Sequence, residues 1–96
     1  MAKVIISPTA LSDLNSIYDY IATDSEYHAE RVVEKILRRV SVLELHIRIG
    51  KVVREFKNPA IRELIEPPYR IIYKIVSEDE ISIAHVYHGS RLLEKM

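Results

Sequence analysis

Arg70, Tyr87, His88 and Arg91 are the residues of this chain whose types and spacing suit one chemistry. Tyr69-Arg70-Ile71-Ile72-Tyr73-Lys74-Ile75-Val76 and the run Ile81 to Tyr87 are dense in β-branched and aromatic residues, and the polar stretch Ser77-Glu78-Asp79-Glu80 between them predicts a hairpin. If Ser77 pairs with Ile81, Arg70 falls opposite His88. One residue of slip puts it opposite Tyr87 instead, and the sequence does not fix the turn length. In either register Arg70 lies beside Tyr87-His88, with cross-strand Cβ atoms about 5–6 Å apart. Gly89 then turns the chain, and Arg91 follows. Two guanidiniums, an imidazole and a phenol at one sheet edge suit a phosphodiester: arginine neutralises phosphate by paired hydrogen bonds, and histidine titrates near neutrality. The same residue types also suit a solvated strand terminus, where Arg and His reach into water or pair with carboxylates, and spacing alone favours that reading. Such a site is partly exposed, so losing Arg70 is expected to change folding little.

Other candidates carry less. Arg31, Lys35 and Arg38 form a basic helical stripe, but Glu34 precedes Arg38 by one helical turn, which describes a solvated face. His28 and His46 have no ligand spacing to another metal-binding side chain, so no metal site is expected, and no cofactor motif is present. His85, among isoleucines in mid-strand, reads as a core or rim histidine. The aromatics, led by Tyr18, Tyr20, Tyr69, Tyr73 and Tyr87, follow element periodicity and read mostly as core.

The elements that must position these residues are legible from caps and periods. Lys3 to Ile6 is a short apolar run ending at Ser7-Pro8, where Ser7 can cap a helix and Pro8 suits its first position. Leu11, Leu14, Ile17, Tyr18 and Ile21 recur at helical spacing and predict a helix from about 8 to 22. Thr23-Asp24-Ser25 breaks that pattern and offers a second cap. Ala29, Val32, Val33, Ile36, Leu37, Val40, Leu43 and Ile47 continue a second helix, which Gly50 closes with a left-handed cap. The period then becomes two. Val52 to Phe56 reads as a strand ended by Asn58-Pro59, and Ile61 to Ile65 as another ended by Pro67-Pro68; the long hairpin follows and forms the sheet centre. The fold class is α+β, in the order β-α-α-β-β-β, with an N-terminal helix hairpin packed on a small antiparallel-rich sheet.

Composition bounds the function classes. The chain has 96 residues, no internal repeat and no linker, so residues 1–96 read as one domain. With 14 basic and 14 acidic residues the formal net charge is zero, so no field draws nucleic acid from a distance and direct high-affinity DNA binding is not expected. The absence of cysteine removes disulfide scaffolds and thiol chemistry and fits a reducing cytoplasm. The apolar run at the N-terminus is too short for a signal-peptide core or a membrane span, so no membrane partner is expected.

Three phrases then give a resemblance: Ile61-Arg62-Glu63-Leu64-Ile65, Pro68-Tyr69-Arg70-Ile71-Ile72-Tyr73, and Val86-Tyr87-His88-Gly89-Ser90-Arg91. With the opening Ser7-Pro8-Thr9-Ala10-Leu11-Ser12-Asp13-Leu14 and the glycine after the second helix, nearly the whole chain resembles the RelE/ParE superfamily of bacterial toxins. The resemblance implies the toxin half of a type II toxin–antitoxin pair, with a cognate antitoxin as partner and an α+β fold with a helix hairpin on an antiparallel sheet. It implies one of two actions: RelE-like members enter the ribosomal A site and cleave mRNA, whereas ParE-like members bind DNA gyrase and inhibit it. On the nuclease pattern, Arg70 would stabilise the transition-state phosphate, and His88 or Arg91 would act as general acid or phosphate ligand. Two departures stand out. Ile61 and Glu63 occupy the strand where RelE-type nucleases carry basic residues, with Arg62 facing the other way. Gly50-Lys51 is followed by Val52-Val53 where YoeB-type nucleases carry a glutamate base, which leaves Glu55 as a possible substitute. These departures, the zero net charge and the His-Gly-x-Arg ending favour DNA gyrase as target over the ribosome with mRNA. An antitoxin segment is expected to add a strand at the sheet edge or to wrap the helices.

Overall fold

Two serines set where the helices begin. In a computed structural model that describes residues 1–89, Ser7 is extended and its Oγ accepts the Ala10 N–H at 3.0 Å, with Pro8 opening helix α1 (Pro8–Ala22). Ser25 does the same for helix α2 (Glu26–Ser41), accepting the His28 N–H at 3.1 Å. Expectations resting on Ser90 to Met96, Arg91 among them, lie outside the described residues. Among the described residues no helix is long and apolar enough to cross a membrane.

The strands are β1 (Lys3–Ile6), β2 (Lys51–Val52), β3 (Ile61–Glu66), β4 (Tyr69–Ser77) and β5 (Glu80–His88), forming one sheet in the order β1-β5-β4-β3-β2. Only β1 against β5 is parallel; the other pairs are antiparallel. The helices cover one face. Ala10 and Leu14 from α1, Ile36 and Val40 from α2, and Leu43 meet Leu64, Ile71, Tyr73, Ile81, Ile83 and Val86 from the strands. The opposite face carries a smaller cluster in which Val53, Ile72 and Tyr87 pack with Ile61. The class is α+β as the caps and periods imply, and β4 and β5 bury residues on both faces as their composition requires.

The structure departs from the sequence reading in five places. Four strands follow the helices, as the four apolar stretches suggest, one more than the order β-α-α-β-β-β allows. Val52 to Phe56 is not one strand: β2 ends at Val52, and a 3-10 turn at Arg54–Phe56 carries the chain out of the sheet as Val53 buries on the open face. Helix α2 stops at Ser41, followed by a 3-10 turn at Val42–Glu44. The tyrosines divide, since Tyr73 and Tyr87 are buried while Tyr20 is 83% and Tyr27 70% exposed.

Gly50 is the fifth departure, and packing rather than capping explains it. It has no left-handed φ. Its N–H donates to the Tyr73 hydroxyl at 2.9 Å, and that hydroxyl donates to the Ile47 carbonyl at 2.9 Å. A Cβ at position 50 would stand 2.5 Å from the Tyr73 oxygen, so only glycine lets the loop reach the phenol. Arg62, opposite Tyr73 in the ladder, clamps the same loop by donating to the Arg48 and Gly50 carbonyls, each at 3.0 Å.

Tyr73→Phe should therefore strand the Gly50 N–H and the Ile47 carbonyl and cost about 1–3 kcal/mol in urea denaturation at neutral pH. Burial holds the Tyr73 phenol above its ordinary value of 10.0, against the lowering effects of the Gly50 N–H and the Arg62 and Arg39 charges. A folded pKa raised in this way leaves its stabilisation intact below about pH 10 and loses it as pH rises through the folded value. The alkaline loss of stability should accordingly be shallower in the variant; an equally steep loss would show that Tyr73 does not drive it.

Candidate functional site

The hairpin of β4 and β5 turns through Glu78-Asp79, with Ser77 opposite Glu80, and two irregularities shift its register. The result is Arg70 opposite Tyr87 and Tyr69 opposite His88, the slipped one of the two registers open to the sequence. Neighbouring residues of a strand point to opposite faces, so the hairpin sends its chemistry in two directions. Arg70 and Tyr87 face the side without helices. Tyr69 and His88 face the helix side, their rings edge-on at 5.7 Å, and line a cleft of about 560 Å³ with Asp13, Ser16 and Tyr20 of α1.

On the open face Arg70 is held by Glu63, which sequence reading placed on the sheet without a partner. Ile65 lies opposite Arg70, so Glu63, two residues earlier on the same face, is its diagonal neighbour. The guanidinium donates to the Glu63 carboxylate. Both side chains are largely buried, 20% and 16% exposed, so Arg70 does not stand free at a solvated strand end. Its Cζ lies 5.9 Å from the centre of the Tyr87 ring, a cation–π contact. Burial works against the Arg70 charge, but the Glu63 hydrogen bond and charge, with Tyr87 and Glu55, outweigh it and raise the guanidinium pKa further.

Tyr87 is 7% exposed, and its hydroxyl has no hydrogen-bond partner among the described residues. Burial raises its pKa; the Arg70 charge opposes this, while Glu63 and Glu55 add to it. The phenol therefore stays protonated at neutral pH and cannot serve there as a base. Glu55, on the turn after β2, is exposed and lines a shallow concavity of about 290 Å³ with Lys51, Arg54, Glu63 and Arg70. The structure thus brings Arg70, Tyr87 and Glu55 together and adds Glu63; it places His88 across the sheet.

The remaining candidates settle simply. His85 lies at the rim, its Nδ1 3.8 Å from Asp13, whose carboxylate accepts the Val86 N–H at 2.9 Å. Arg31 rests on the exposed Tyr27, 5.7 Å from its ring centre, as part of a solvated face. Among the described residues no three His, Asp or Glu side chains gather to hold a metal.

Comparison with known proteins follows the fold. The family model described as ParE toxin of type II toxin-antitoxin system, parDE, matches residues 4–93. Toxin RelE2 of Caulobacter vibrioides is 28% identical over 92 residues, which span 96% of this chain and 100% of that one. A solved structure described as the chromosomal ParDE TA system from P. aeruginosa matches with a TM-score of 0.74 and 25% identity, covering 92% of this chain and 96% of the other.

The burial of the ion pair sets the expectation for stability. Arg70→Ala and Glu63→Ala should each cost about 1–3 kcal/mol, because each leaves a largely buried charge without its partner. The double variant should cost less than the two losses combined, by about 1–2 kcal/mol of coupling in a urea double-mutant cycle. Strictly additive losses would mean that the pair stabilises nothing.

Proposed function

The chain belongs to the ParE toxin family of type II toxin–antitoxin systems, and on that premise we propose that it arrests growth by binding DNA gyrase rather than by cutting mRNA. The observation that carries this reading is the separation of Arg70 from His88 on opposite faces of the sheet. A nuclease needs its phosphate ligand and its proton donor around one scissile phosphate. Here the arginine is engaged by a carboxylate and the histidine sits against Tyr69 on the helix side.

Two further features support a protein target. The concavity beside Arg70 sets Lys51, Arg54 and Arg70 against Glu55 and Glu63, and the whole chain is formally neutral, whereas a ribosome-entering nuclease works in a dense phosphate field. Ile65, directly opposite Arg70, is 46% exposed, an apolar surface that suits a protein better than a sugar–phosphate backbone.

As a type II toxin the protein has an antitoxin for a partner. We place that contact on the β1 edge and the helix hairpin. Strand β1 ends the sheet, Lys3 and Ser7 donate towards β5, and by alternation Val4 and Ile6 turn their backbone groups outward. Leu11 and Tyr20 on α1 are exposed, at 52% and 83%, and Tyr20 flanks the cleft at Tyr69 and His88. An extended segment that pairs with β1 and lays apolar side chains on α1 would satisfy both.

Expressed without its antitoxin, the protein should stop bacterial growth, inhibit supercoiling by purified gyrase and leave mRNA on programmed ribosomes uncut. His88→Ala should keep gyrase inhibition within a few-fold of wild type, since no proton transfer is asked of it. Codon-specific mRNA cleavage with gyrase untouched, lost in His88→Ala, would reverse the assignment.

A further inference from the structure

We propose that Glu63 fills from within an oxyanion site built by Arg70, Lys51 and Arg54, and that its carboxylate keeps phosphate groups off the open face. The guanidinium of Arg70 is the side-chain group best shaped for oxyanions, and the oxyanion it holds is supplied by the neighbouring strand. Glu63 reaches it on the diagonal of the β3–β4 ladder, a position fixed by the short Pro67-Pro68 turn, so occupancy is built into the register.

Tyr87 supports the guanidinium from beneath, its ring centre 5.9 Å from the Arg70 Cζ. A tetrahedral phosphate, with more acceptor oxygens than a carboxylate, can serve Arg70 and the flanking Lys51 and Arg54 together.

Charge around the concavity points the same way. With Glu63 in place, three cations, Lys51, Arg54 and Arg70, face two carboxylates, Glu55 and Glu63; with Glu63 neutral, three cations face one. Lys51 lies directly opposite Glu63 in the β2–β3 ladder, so its charge too is partly offset by this residue. The ligand class of the unblocked site is a phosphate oxyanion, and Glu63 is the residue that decides against it. This inference concerns anion exclusion alone and stands or falls apart from the gyrase reading, because its test contains no gyrase.

The experiment titrates inorganic phosphate at low ionic strength into full-length wild type, Glu63→Gln, Glu63→Ala and Glu63→Gln/Arg70→Gln, following the Arg70 Nε–H by NMR, with circular dichroism confirming each fold. Wild type should show no saturable shift of that signal. Glu63→Gln should bind at least about tenfold more tightly than wild type, since a like charge beside an anion is a strong penalty. Adding Arg70→Gln should abolish the gain. A single-stranded RNA oligonucleotide should follow the same ranking, with a salt dependence steeper by about one phosphate contact in Glu63→Gln. Equal phosphate binding by wild type and a folded Glu63 variant, or a gain that survives Arg70→Gln, would overturn the proposal. If neither Glu63 variant folds, saturable binding at Arg70 in the wild type overturns it equally.

Discussion

The Tyr73 hydroxyl, buried in the helix-side core, accepts the Gly50 N–H and donates to the Ile47 carbonyl. Because leaving a phenol this deep without partners is costly, the loop after α2 is bound to a particular place on β4. That fixes where β2 starts, and with it the pairing of Lys51 with Glu63 and Val52 with Arg62. Val53 then crosses to the open face to pack on Ile72 and Tyr87, and the turn behind it carries Arg54 and Glu55 to the rim of the concavity. A hydrogen bond on one face of the sheet thus sets the composition of the surface on the other.

That surface is governed by internal neutralisation. Arg70 takes Glu63 on the open face, and Arg62 takes backbone carbonyls on the helix face. Both arginines of these adjoining strands are therefore engaged by the fold itself. A zero net charge in composition could arise from segregated patches, but at this concavity the signs are interleaved on neighbouring strands. The open face therefore offers a partner shape and apolar area, with Ile65 foremost, more than field.

Much of this was legible in the residues. The Ser7-Pro8 and Ser25 caps placed both helix starts, because capping is a local interaction that a few residues decide. The end of α2 was not legible: Gly50 looks like a helix cap, and only the packing of Tyr73, from a strand much later in the chain, shows that it is a point of close approach. Hairpin register stayed open because a two-residue turn and a three-residue turn fit the same polar stretch, and that one-residue difference decides which of Tyr87 and His88 accompanies Arg70. The Glu63–Arg70 pair left a usable trace. Two residues, Pro67-Pro68, separate the strands, so counting back from that turn puts Ile65 opposite Arg70 and Glu63 on its diagonal. Tyr20 misled because aromatics at helical spacing look like core until the direction of the helix stripe is known; Ala10 and Leu14 define that direction.

Strand β1 pairs with β5, the first element of the sheet with the last, and the end of β1 is stitched there by Ser7 and then by Asp13 of α1. During synthesis this leaves the sheet unfinished until β5 has emerged. A nascent chain that has emerged only as far as β4 has its helix hairpin, but it lacks the strand that α1 covers and the Tyr87 ring under Arg70. Such long-range closure is slow relative to local helix formation. The surface that would meet a target therefore comes into being only once β5 has been made, and a product that stops at β4 lacks it.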